Sequence, residues 1–90
     1  MNNDILTPGK LYQYCFTGYK EIYFPNPNHC RQINLDRIRV ISNKSIILFL
    51  RYTSYFYMGG ESEIEFIFQD RVYRMYLYSA WRSYFREFEP

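Results

Sequence analysis

The chain predicts an all-β fold: a small, strongly bent antiparallel sheet of five short strands, or a small barrel, with a short C-terminal helix. Three observations carry this. Eleven Tyr, eight Phe and one Trp make 22% of the ninety residues aromatic, and such side chains suit the pleated, half-buried surface of a strand. Apolar and polar residues alternate with a period of two over 63–69 and again over 73–78, the pattern of strands with one face buried. Clusters of Pro, Gly and Asn divide the remainder into runs of a strand's length. Ninety residues make one domain, spanning 1–90, because a chain this short cannot enclose a second core.

Residues 1–8 read as a polar, loose lead-in, and the barrel-like core with its terminal helical turn spans 9–88. Pro8-Gly9 is a turn signal that launches a first strand over 10–16. Thr17-Gly18 breaks it, and 19–24 forms a short second strand at the start of a long loop reaching Asn34. Within that loop Pro25 and Pro27 lack the N–H that a ladder needs. Strands over 37–41 and 45–52 then join at Asn43-Lys44, since Asn tolerates the left-handed backbone of a tight hairpin. That hairpin pairs Val40 with Ile47 and Ile38 with Phe49, and sets Asp36 opposite Arg51. Apolar residues on both faces of 46–50 mark a central, covered strand.

The last hairpin is the most informative. Ile64, Phe66 and Phe68 alternate with Glu63, Glu65 and Ile67, and Tyr73, Met75 and Leu77 alternate with Arg74, Tyr76 and Tyr78. A slip of one residue would invert every side chain, so the loop around Asp70-Arg71 must be even. The pairing that follows is Phe68 with Tyr73, Phe66 with Met75 and Ile64 with Leu77, leaving Glu63, Glu65, Ile67, Arg74, Tyr76 and Tyr78 on the opposite face. Ser79 then caps a short helix to Phe88, whose apolar side is Trp81, Phe85 and Phe88.

Element order resembles that of the Src-homology-3-like small barrels, among them small proteins of bacteriophages. The opening Pro8-Gly9-Lys10-Leu11-Tyr12 with its long following loop, the late strand pair around Gln69-Asp70-Arg71 and the helical turn after Tyr78 carry the resemblance. It covers most of 9–88. The acidic loop cluster and proline-groove aromatics of the peptide-binding members have no placed counterpart, so no functional residue carries over. What the resemblance implies is a viral accessory protein that binds something of its host.

Composition narrows the chemistry. The net charge is +2, with eight Arg and three Lys among nine acidic residues, short of the clustered basic footprint of a strong nucleic-acid binder. Arg and Tyr are the residues enriched at protein–protein hot spots. No apolar run approaches a membrane span, and 1–9 lacks the apolar stretch of a signal peptide. The expectation is a protein of the cytoplasm, the host cytoplasm if viral, with Cys15 and Cys30 reduced.

The catalytic and metal-binding constellations are thin. His29 is the single histidine, and Cys15, His29 and Cys30 lack zinc-site spacing. Glu63 and Glu65 share a strand face at roughly 6.6–7 Å, a separation compatible with glycoside hydrolysis, yet neighbouring Tyr and Arg explain them as surface pairing. Gly59-Gly60 lacks the Lys-Ser/Thr of a phosphate loop. The expectation is no enzyme, cofactor or metal. The remaining signal is the mixture of aromatic and basic residues: Arg51, Tyr52, Tyr55, Tyr57, Arg74, Tyr76 and Tyr78 form a candidate partner-binding set. A host protein, such as a bacterial defence factor that this chain inhibits or redirects, is the first expectation. A nucleic acid stacked on the tyrosines is the second, and a homodimer or self-associating structural protein the third.

Overall fold

The computed structural model describes residues 5–25, 38–54, 62–78 and 80–89. Among them are seven strands: β1 (Leu11–Tyr14), β2 (Tyr19–Tyr23), β3 (Ile38–Ser42), β4 (Ile46–Ser54), β5 (Ser62–Phe68), β6 (Arg71–Leu77) and β7 (Phe85–Glu87). They form one antiparallel sheet in the order β3-β2-β6-β5-β4-β1-β7, strongly curled into a half-barrel.

The curl follows from chain connectivity. Ser42 ends the outermost strand β3, and Ile46 begins β4, four places away in the sheet. Four strand spacings in a flat sheet are about 19 Å, whereas four residue steps reach at most ~14 Å. The sheet must therefore bend back on itself. β4 supplies part of the bend through register shifts between Phe49 and Arg51 and between Tyr52 and Ser54, since an extra residue in one strand kinks it and increases its twist. The corner is fastened on β1: Lys44 N–H donates to Tyr14 O and Tyr14 N–H to Ser45 O, both at 2.7 Å.

This corner replaces the expected β3–β4 hairpin. Lys44 does adopt a left-handed backbone, with φ 76°, and Ser45 N–H closes a turn on Ser42 O. The chain nevertheless leaves β3 for a different part of the sheet. Val40 faces Glu21 on β2, Ile47 faces Tyr12 on β1, and Arg51 faces Glu65 on β5; Asp36 lies outside the described residues. β4 is interior, between β5 and β1, but only Ile47 and Phe49 of its central run are fully buried, while Leu48 and Leu50 are half-buried.

The β5–β6 hairpin keeps its predicted faces and shifts its register by two residues. Phe68 pairs with Arg71, Phe66 with Tyr73 and Ile64 with Met75. The loop is Gln69-Asp70, with φ 52° and 65°, the two consecutive positive values of a type I′ turn whose twist matches the strands. A shift of two conserves side-chain direction, so Ile64, Phe66, Tyr73, Met75 and Leu77 are buried together.

The C-terminal helix is absent. Trp81–Ser83 is one 3₁₀ turn, and Phe85–Glu87 is a strand paired with β1. Two or three isolated helical turns are marginal, and the open edge of β1 offers the same backbone a ladder. Cys15 N–H donates to Tyr84 O at 2.7 Å and Phe88 N–H to Leu11 O at 3.1 Å. Trp81 and Phe85 still enter the core, edge-on to Tyr12 (5.3 Å between centroids) and Tyr14 (5.6 Å).

Part of the lead-in is also core. Leu6 is completely buried, its N–H donates to the Tyr52 hydroxyl at 3.1 Å, and Thr7 N–H donates to the Tyr12 hydroxyl at 2.8 Å. Two phenol oxygens, those of Tyr52 and Tyr12, thus find partners in the backbone of Leu6 and Thr7.

Candidate interaction face

Alternation divides the sheet into a concave core face and an outer face. Tyr73, Met75 and Leu77 point inward on β6, so Val72, Arg74 and Tyr76 point outward. The register then assembles two rows of outer-face residues that run across the strands. One is polar: Tyr23 (β2) faces Arg74 (β6), Arg74 faces Glu65 (β5), and Glu65 faces Arg51 (β4). The other is apolar: Val72 (β6) faces Ile67 (β5), Ile67 faces Leu48 (β4), and Leu48 faces Leu11 (β1). Val72 is 37% exposed and the other three are half-buried.

The polar row is a closed electrostatic unit. Glu65 accepts from Arg74 Nε at 2.9 Å and from Arg51 Nε at 3.2 Å. Its side chain is only 12% exposed. Burial alone would raise its pKa, but the hydrogen bonds and charges of Arg51 and Arg74 outweigh it and hold the carboxyl below its ordinary range. Glu63, one step along β5, accepts from the Thr53 hydroxyl at 2.5 Å and from the Tyr23 hydroxyl, with Arg74 Nη1 at 3.7 Å. Burial, and then donation to Glu63, push the Tyr23 phenol far above its ordinary value. Both glutamates are engaged by cations and hydroxyls, as surface pairing requires.

A band of rings continues from this unit. Tyr23 contacts Tyr76 at 5.8 Å, Tyr76 contacts Tyr78 at 6.5 Å, and the Lys20 ammonium lies 4.6 Å from the Tyr78 ring and 5.1 Å from that of Tyr84. Tyr78 is 59% exposed, and its N–H donates to the Tyr84 hydroxyl.

Of the seven residues read from sequence, Arg51 and Arg74 meet on Glu65, and Tyr76 adjoins them with Tyr78 at the end of β6. Tyr52 lies elsewhere: it faces buried Ile64 across the ladder, packs on Phe49 at 5.3 Å and receives the Leu6 N–H. Tyr55 and Tyr57 lie outside the described residues. Missing from that set were Tyr23, Lys20 and the whole apolar row. The apolar character of both faces of 46–50 was the visible signal for Leu48, but its neighbours became apparent only with the strand order.

Among the described residues no group of three His, Cys, Asp or Glu is placed to hold a metal ion, and Cys15 is a half-buried free thiol. His29 and Cys30 lie outside them. No described helix is long and apolar enough to cross a membrane. No family model, curated protein or solved structure matches the chain.

Proposed function

We propose that this chain is a binding protein that seats another protein on the outer face of its sheet, around the apolar row Val72–Ile67–Leu48–Leu11. That row carries the reading: four apolar side chains aligned across four adjacent strands, on the face turned away from the core. Beside it run Arg51, Arg74 and Tyr23, which gives the apolar centre and Arg/Tyr-bearing border of a protein interface. Nucleic acid fits this face less well, because Arg51 and Arg74 are already neutralised by Glu63 and Glu65. Together with the barrel-like element order, the reading extends to a viral accessory protein acting without catalysis on a host factor in the host cytoplasm. Affinity capture from a bacterial lysate tests it: wild type retains a partner, and Val72→Asp or Ile67→Ser, still folded by circular dichroism, releases it. Failure to capture any reproducible partner, or equal capture by the variants, overturns it.

A second reading has its own observation. Phe24 stacks on Tyr73 (4.9 Å, 20°), and the guanidinium carbons of Arg39 and Arg71 each lie 5.8 Å from its ring. Rings bordered by guanidinium groups stack bases and track phosphates. A labelled single-stranded oligonucleotide tests this: binding that weakens steeply with salt and with Arg71→Ala supports it, and no binding at low salt removes it.

A further inference from the structure

The two edges of the sheet differ in kind. β7 closes one side with three residues, of which Arg86 and Glu87 are charged and exposed. Short, charged strands are how sheets suppress edge-to-edge association. β3 ends the other side with five residues, IRVIS. It holds one charge and no proline, and it pairs with β2 through five consecutive partners without a register shift. Its central residue Val40 is 49% exposed on the outer face. Among the described residues no strand pairs with its other side. Along its described length β3 is longer than β7, runs without a bulge and carries one charge, Arg39, against the two of β7.

We propose that β3 pairs antiparallel with β3 of a second copy, about a two-fold axis through Val40. The register follows from the sequence of the strand. Opposed residues in a ladder share a face, so the two core faces stay on one side only if residues of the same parity meet. Three axes satisfy this while pairing more than one residue of the strand with its copy. An axis at Arg39 sets that cation against itself, which is unfavourable. An axis at Ile41 carries Ile38 into the turn at Lys44 and shortens the ladder. The axis at Val40 pairs Ile38 with Ser42, Arg39 with Ile41 and Val40 with itself: the full strand, with no like charges opposed. The contact is isologous, and it turns both outer faces to the same side, so a dimer presents two copies of the Arg51–Glu65–Arg74 unit. Pairing at this edge is independent of whether the outer face binds another protein.

Val40→Lys tests the axis with little expected cost within a protomer, because Glu21 faces position 40 on β2. Sedimentation equilibrium of the wild-type chain, from micromolar to near-millimolar protein, shows a dimer. Val40→Lys sets two ammonium groups together and weakens it roughly tenfold or more, while Val72→Lys on the outer face leaves it unchanged. Hydrogen exchange on wild type gives a second reading that needs no variant: β3 amides gain protection as concentration rises. A wild-type monomer throughout, a dimer indifferent to Val40→Lys, or β3 amides whose protection rises only when a peptide from another protein is added overturns the proposal.

Discussion

Tyr14 brings its phenol into the core with no hydrogen-bond partner among the described residues. Burial pushes its pKa up to about 12, with smaller contributions from Tyr84 and Cys15. In the unfolded chain a tyrosine ionises near 10.0. Between these values the folded state holds the proton more tightly, so stability is intact below the lower value and declines as pH rises toward the upper one. Tyr14→Phe removes an unanswered hydroxyl, so it is expected to stabilise by up to about 1 kcal/mol near neutrality and more in the alkaline range. Urea denaturation of both proteins at about pH 8 and about pH 11 checks this. Glu65 has the opposite sign. Its folded pKa lies below the ordinary 4.5, so its contribution is present above that value and is lost as pH falls through the folded one. Arg74→Ala leaves the half-enclosed carboxylates of Glu63 and Glu65 short of a cation. The expected cost is about 1–3 kcal/mol, with a weaker loss of stability on acidification, read by thermal melts across the acid range.

At the scale of elements, the β5–β6 turn shows what alternation determines and what it leaves open. Period-two patterning required an even loop and placed each side chain on its observed face, but loops of two and four residues satisfy it equally. Backbone geometry favours the two-residue turn, which runs through Gln69-Asp70 with both residues at positive φ. Glycine bears that conformation without the penalty a Cβ brings, so Asp70→Gly is expected to stabilise the hairpin by about 0.5–1 kcal/mol, measured as a higher urea midpoint at unchanged slope. The last element shows the reverse. The spacing of Trp81, Phe85 and Phe88 suits one helix face, yet Phe85 enters the core from a strand because β1 has an open ladder beside it. Apolar spacing over so few residues is compatible with both periods.

The whole molecule depends on contacts between distant parts of the chain. Leu6 is covered by the half-barrel and fastened through Tyr52, forty-six residues away, so this segment ahead of β1 completes a core assembled from every described strand. Leu6→Ala is expected to cost about 2–5 kcal/mol, measured by equilibrium denaturation, although propensity alone would assign that segment to the surface. The candidate face has the same origin. Arg51, Arg74 and Tyr76 could be grouped from their alternation, but Leu11, Leu48, Ile67 and Val72 come from four separate strands and form a row only after those strands are ordered.

The sequence by itself determined the class of fold, the direction of each side chain in the last hairpin and the core placement of Phe66, Tyr73, Trp81 and Phe85, but not that of Tyr12, Tyr14 or Tyr84. These are local properties, since a strand's side chains alternate whatever strand lies beside it. Which strands are neighbours was decided by the tertiary structure. Backbone ladders are chemically alike, so β3 could hydrogen-bond β4 or β2, and residues after Ala80 could coil or pair with β1. The half-barrel joins β2 with β3 and β1 with β7 while burying Ile22, Ile41 and Phe85 with Leu6 in one core. That choice left β3 at one end of the described sheet and set the two rows of the outer face side by side.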